Sequence, residues 1–383
     1  MTAEQLAEAR RYGRLDLICT LADKGLDVTY LAVAAFLLVW PINRWLESLW
    51  GGDAYWQLSL RLVGMFLAVT AVHICVSFPL SFYSGHVLEH RFGLSTLTLG
   101  GWLWRYTKRN LLALSFGLVM FLGLYWLIWI AGMIGWGPLW WLAAAAAFFG
   151  VSVLLGQLAP VLILPLFYKI EKLDEPELAQ RIGRLAQDSG LSIEGVYRMG
   201  LSDETVKANA MLAGLGRTRR VLMGDTLLDG FSPDEIEVIF AHEIGHHVHH
   251  HIRKMIVTGI VFSAAGFFIC DRLLSIWAAG ADGRVDYAAM PAYTLPFLML
   301  ILMVFATLLE PLQNAISRHY ERQSDRYALK RTGLHDAYRS AFSKLARLNK
   351  DDPHPHWLDV LLFHSHPPIA ERLAMAERLV DSG

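Results

Sequence analysis

His242-Glu243-Ile244-Gly245-His246 sets two imidazoles four residues apart with a carboxylate beside the first. On a helix, residues four apart share a face, so His242 and His246 can meet one Zn²⁺ while Glu243 projects beside them toward a metal-bound water. Two ligands and a general base on one turn are the makings of a hydrolytic centre. In a chain of 383 residues with 15 His and 16 Glu, the pattern arises by chance about 0.02 times. His247, His249, His250 and His251 follow at once, and such a tract can also bind metal loosely or form a solvated helix end.

The chemistry needs a helix, and the residues ahead of the motif supply its start. Ser232-Pro233-Asp234-Glu235 offers an N-cap serine, a proline at the first helical position and a glutamate three residues after the cap, which together form a capping box. Ile236, Val238, Ile239 and Phe240 then provide the apolar residues that anchor the helix in a core.

The rest of the chain has a membrane composition, 54% hydrophobic and 18% charged, with a mean hydropathy of +0.36. Apolar blocks run from Leu62 to Phe82, Leu111 to Trp136, Leu139 to Phe167, Met255 to Cys270 and Met290 to Leu309. Each is long enough, or nearly so, to cross about 30 Å of hydrocarbon. Val28 to Ile42 makes a sixth span, with Trp40, Trp45 and Trp50 suited to an interfacial belt. Basic residues alternate about these spans: Arg10, Arg11, Arg14 and Lys24 before the first, Arg91, Arg105, Lys108 and Arg109 before the third, and none between the third and fourth. The positive-inside rule then puts both termini and Lys169 to Lys254 on the cytoplasmic side. A net charge of −1 offers no basic field for nucleic acid. Cys19, Cys75 and Cys270 are far apart and read as apolar fillers.

Between the fourth and fifth spans lies the natural soluble region. Pro176 to Ser189 reads as a helix, Gly195 to Met199 and Arg219 to Met223 as strands, and Gly214-Leu215-Gly216 as a turn between extended segments. After the sixth span, Ser317 to Arg331 is polar and free of proline, so the helix should leave the membrane and continue.

A catalytic zinc needs three protein ligands and an open position. Glu321 is the best candidate for the third: Glu321 and Asp325 are four apart, so one can bind metal while the other accepts a hydrogen bond from a liganding imidazole. The plainer alternative is a solvated charged face, Arg318, Glu321, Arg322, Asp325 and Arg326, laced with ion pairs.

HEIGH followed after two spans by Ser317-Arg318, Glu321 and Asp325 resembles the zinc-dependent CAAX prenyl endopeptidases, membrane metalloproteases that trim prenylated C termini. So do Arg91-Phe92-Gly93-Leu94-Ser95 with Gly100-Gly101-Trp102, Asn209-Ala210 with Gly224-Asp225-Thr226-Leu227-Leu228, and Ser365-His366-Pro367-Pro368 with Glu371-Arg372. The resemblance implies a mainly α polytopic membrane fold, about six transmembrane helices enclosing a chamber, with a cytoplasmic zinc-protease domain containing a small β-sheet. It implies one Zn²⁺ per chain on His242, His246 and Glu321, with Asp325 and Arg372 organising the ligands. Asn209 and Ala210 would align a substrate peptide as an added strand. His366 would donate toward the developing oxyanion, with His364 a near neighbour separated from it only by the Pro-Pro context. Relatives from eukaryotes are commonly longer, with an additional N-terminal span; the compact chain suits a bacterial inner membrane.

The expected division is an N-terminal cytoplasmic segment (1–27), helices 1–4 of the membrane (28–168), the zinc-protease domain (169–252), membrane helices 5–6 (253–315) and a cytoplasmic helical C-terminal region (316–383). The expected reaction is peptide hydrolysis near the C terminus of a lipidated (CAAX-type) or hydrophobic peptide at the lipid bilayer, with Glu243 as base. A membrane quality-control metalloprotease is one alternative. A zinc-binding transporter is another, which requires polar ligands inside the spans, where His73 and Gln157 are the few candidates among the first four.

Overall fold

The computed structural model describes residues 1–213, 219–280 and 283–381. Helices dominate. In chain order they are α1 (Ala3–Val33), α2 (Val39–Leu49), α3 (Tyr55–Phe82), α4 (Glu89–Arg91), α5 (Leu99–Met133), α6 (Trp140–Leu158), α7 (Pro176–Asp188), α8 (Asp225–Gly230), α9 (Pro233–Val248), α10 (His251–Trp277), α11 (Leu295–Thr332), α12 (His335–Asn349), α13 (Trp357–Phe363) and α14 (Ile369–Asp381). Among the described residues six helical stretches are long and apolar enough to cross a membrane: Ala3–Leu49, Tyr55–Arg91, Leu99–Met133, Gly137–Leu166, His251–Trp277 and Ala292–Thr332.

These helices outrun the apolar blocks read from the sequence. The block Met255 to Cys270 lies inside a helix of 27 residues, because the helix continues through polar residues on either side of it, Arg253 and Lys254 before and Asp271 and Arg272 after. α11 runs 38 residues from the last span into the polar tail and carries Pro311 without breaking. The boundary expected at 27/28 falls within α1, which leads into the first span through a π-helical stretch, Ala34–Leu38. Pro41 follows that stretch and Pro160 lies inside another, Ala159–Ile163. A ring that removes one backbone donor and crowds the preceding turn accounts for the local widening.

The membrane core is packed by Leu62, Met65, Phe66, Tyr125, Ile128, Trp129, Trp140 and Leu298. In lipid such burial gains little hydrophobic free energy, so dispersion and buried hydrogen bonds must hold it. Trp129 Nε1 donates to the Met290 carbonyl at 3.0 Å and Trp140 Nε1 to Asp271 at 2.7 Å.

Outside the spans, four strands form one small sheet in the order β1 (Ile170–Lys172), β2 (Gly195–Met199), β4 (Arg220–Gly224), β3 (Ala210–Ala213). β2 and β4 are parallel, and β1 and β3 flank them antiparallel. β1 escaped the sequence reading because three residues, Ile170-Glu171-Lys172, show no alternation. The turn at Gly214-Leu215-Gly216 lies outside the described residues. Val196, Val221 and Met223 of the sheet pack with Ile236, Ile239, Phe240 and Ile244 of α9 in the soluble core, where burying each large side chain contributes roughly 1.5–3 kcal/mol. That core holds the HExxH helix.

Candidate active site

α9 starts where its residues require. Ser232 Oγ accepts from the Glu235 amide and Glu235 Oε2 accepts from the Ser232 amide at 2.8 Å, satisfying two orphan donors. Lys344 Nζ caps the same carboxylate at 2.7 Å. α9 then crosses α11 at Gly245, where an added Cβ would sit 2.8 Å from Ser324 Cα. The absent side chain lets the two backbones approach, and His242, His246, Glu321 and Asp325 meet across the crossing.

Their atoms converge. Glu321 Oε2 lies 3.1 Å from His242 Nε2, Glu321 Oε1 lies 3.2 Å from His246 Nε2, and the two Nε2 atoms are 3.3 Å apart. A tetrahedral zinc with ligands about 2.0–2.1 Å away has ligand–ligand edges of roughly 3.3 Å; each pair of side chains approaches that separation, and one ligand atom from each of the three lies within 4.8 Å of the others, close enough to share one ion. Glu321 Oε2 is buried and takes no well-directed hydrogen bond, as suits an oxygen aimed at a cation. Asp325 and Glu321 outweigh the burial of His242, which alone would lower its pKa, and hold the imidazole up at about 10. The pocket favours positive charge.

Behind the ligands, His242 Nδ1 lies 2.8 Å from Asp325 Oδ1. Arg372 pairs with both Asp325 oxygens, at 2.6 and 2.9 Å, and stacks over the Phe342 ring at 3.9 Å. The solvated charged face weighed for this helix does not hold at Arg318, Glu321 and Asp325, all buried. His366 Nδ1 is 2.8 Å from Glu321 Oε2. His364 instead pairs with Asp359 at 3.3 Å, and its carbonyl accepts from Arg318 at 2.6 Å. Glu243 faces the cavity, and burial raises its carboxyl above the usual carboxylate range against the neighbouring imidazoles, which lower it.

The site opens on a cavity of about 800 Å³. Asn209 and Ala210 line it where the edge strand β3 begins. Among the six membrane helices, the described lining comes from α1 and α11 alone. Sequence reasoning missed the role of α1: Asp16, Thr20, Asp23 and Asp27 line the cavity, and their spacing of four, three and four puts them on one helix face. That periodicity was the available signal. Among the described residues the one group with the geometry to hold a metal is His242, His246 and Glu321, outside the apolar blocks; of the polar candidates for a transporter, His73 pairs with Asp27 at 2.7 Å.

The profile of peptidase family M48 matches residues 172–380, more than half of the chain. The chain belongs to peptidase family M48. The N-terminal domain described for CAAX prenyl proteases, with five membrane helices, matches residues 1–169, where this M48 peptidase has four helical stretches able to span. CAAX prenyl protease 1 of Saccharomyces cerevisiae is 30% identical, the match covering 82% of this chain and 71% of the yeast protein. An uncharacterized metalloprotease of Bacillus subtilis is 29% identical over 99% of this chain and 87% of its own length. The crystal structure of S. mikatae Ste24p superposes with a TM-score of 0.81 at 25% identity, covering 98% of this chain and 90% of that one. This M48 peptidase is therefore a multi-pass membrane zinc metalloendopeptidase with the Ste24p fold.

Proposed function

We propose that the chain cleaves peptide bonds near the C terminus of lipidated (CAAX-type) or otherwise hydrophobic peptides, using one zinc held by His242, His246 and Glu321. The observation that carries this reading is the convergence of those three ligand atoms at the wall of a cavity shared by the soluble domain and two membrane helices. A site inside a cavity of about 800 Å³ admits an extended peptide and refuses a folded protein. Relatives named as CAAX prenyl proteases support the substrate class.

Bound there, zinc supplies Lewis acidity, polarising a carbonyl and bringing the pKa of water down to about 7. Glu243 takes the proton of the attacking water and passes it to the leaving amine; its raised carboxyl pKa suits a group that must hold that proton between the two transfers. His366, beside Glu321, donates to the carbonyl oxygen as negative charge builds on it, a contribution of about 2.7–4 kcal/mol where such donors have been removed. The edge strand β3, at Asn209 and Ala210, pairs with the substrate backbone, which fixes the scissile bond with little dependence on sequence. Asp325 and Arg372 hold His242 in its metal-facing tautomer. The alternation of basic residues about the spans supports a site on the cytoplasmic side of a bacterial inner membrane.

Glu243→Gln tests the reading. Zinc content should stay at wild-type stoichiometry while cleavage of a prenylated C-terminal peptide falls by about 10²–10⁴. Retained cleavage would remove Glu243 as the base. Retained zinc and lost cleavage, with membrane C termini accumulating uncut in cells, would identify the natural substrates.

A further inference from the structure

The two imidazole ligands are backed differently. Behind His242 stands a carboxylate, Asp325. Behind His246 stands another imidazole: His246 Nδ1 lies 3.1 Å from Nδ1 of His251. His251 is 1% exposed, its Nε2 lies 2.8 Å from Gln323 Oε1, and Gln323 Nε2 lies 3.1 Å from His319 Nε2.

A neutral imidazole that coordinates through Nε2 carries its proton on Nδ1. His246 Nδ1 therefore donates, and His251 Nδ1 must accept. The His251 proton is then on Nε2 and points at the Gln323 oxygen, and the Gln323 amide nitrogen donates to His319. Each of the three links pairs one donor with one acceptor, and the order is set from the metal outward.

We propose that His251 is the positioning residue of the second zinc imidazole, fixing the tautomer and ring plane of His246 through a relay to Gln323 and His319. This rests on the zinc reading above. The backbone is shaped for it. On an uninterrupted helix, a residue five beyond His246 would lie about 140° around the axis. Instead α9 stops, His250 takes left-handed dihedrals of φ 56° and ψ 34°, and α10 begins at His251, which returns the ring to His246. Left-handed backbone is disfavoured for a residue with a Cβ, so the turn is held by what it achieves. The His251 ring also stacks on Tyr320, centroids 4.3 Å apart at 13°, which fixes the plane of the acceptor.

The test is zinc affinity of the full chain in detergent, measured by competition with a chromophoric chelator. His251→Phe keeps the ring and the stack on Tyr320 but removes the acceptor, and zinc should bind about 10–100-fold more weakly. His251→Asn places an amide oxygen where Nδ1 was, and should recover most of that loss. In the cobalt-loaded protein, the visible absorption should shift in His251→Phe and return toward wild type in His251→Asn, which a packing role would not produce. Wild-type affinity in His251→Phe, or an Asn variant no better than Phe, overturns the proposal. His242→Ala separates the two levels: zinc retained in that variant overturns the metal centre itself, whereas zinc lost there but unchanged in His251→Phe refutes only the relay.

Discussion

Gly245→Ala probes the crossing on which the metal centre depends. The new Cβ would lie 2.8 Å from Ser324 Cα, 3.0 Å from its Cβ and 3.1 Å from its Oγ. Carbon atoms rest about 3.5–4.0 Å apart, so the two helices must part by roughly 0.7 Å or more. The nearest atom cannot swing away, because Ser324 Cα is backbone inside a 38-residue helix. Metal–ligand distances tolerate only about 0.2 Å, and His242 and His246 ride on one helix while Glu321 rides on the other. The centre should therefore loosen before the fold does. Overpacking costs about 1–3 kcal/mol, against which Ala regains about 1 kcal/mol of helix propensity, so the net loss of stability is about 0–2 kcal/mol. Misplacement on the order of 1 Å costs about 10² in rate, or about 2.7 kcal/mol of barrier. The assay is zinc stoichiometry, thermal unfolding in detergent and kcat/KM on one preparation. Ser324→Gly, which removes two of the three contacts, should partly restore activity when added to Gly245→Ala. An Ala variant with wild-type zinc and kcat/KM would refute the claim that close approach at Gly245 assembles the site.

Three further expectations follow. Glu321→Ala should abolish stoichiometric zinc, and full metal content by elemental analysis would turn the search for a third ligand to His247, His249 or His250. Asp225→Asn should destabilise the soluble domain by about 1–3 kcal/mol at neutral pH. Burial pushes the Asp225 carboxyl up, but Ser202 Oγ at 2.6 Å and the amides of Leu201, Ser202 and Thr226 outweigh it and hold the pKa below the ordinary value. Its stabilisation is thus present above about pH 4 and lost as pH falls through the lowered folded-state pKa; a wild-type advantage in denaturant unfolding that persisted undiminished below that range would contradict this. His250→Gly should raise the unfolding midpoint, since glycine adopts left-handed backbone freely at a gain of about 1 kcal/mol. Zinc should be unaffected, and its loss would make His250 a ligand after all.

Much of this protein is local, and local features are legible. The capping box at Ser232 and Glu235 starts the HExxH helix wherever the rest of the chain goes, because its hydrogen bonds close within four residues. Six apolar stretches follow from the cost of leaving backbone unsatisfied in lipid. What residues of one turn can do, as His242 with His246 or Glu321 with Asp325, follows from helical period alone. Where the reading fell short, the missing information lay in partners distant in sequence. Residues 1–27 read as a polar cytoplasmic segment, yet Asp16, Asp23 and Asp27 of α1 line the cavity, held there by partners distant in sequence: Lys24 meets Glu310 at 2.6 Å and Asp27 meets His73 at 2.7 Å. His364 and His366 are equivalent on paper. Only the buried Arg318, holding the His364 carbonyl, and Glu321, meeting the His366 ring, tell them apart. The types of group available for chemistry were thus written in the chain, since period and capping act over a few residues. Which groups share a space, and which of five clustered histidines orients another, was decided by how closely α9 and α11 pack, a property of two surfaces that no single stretch of sequence contains.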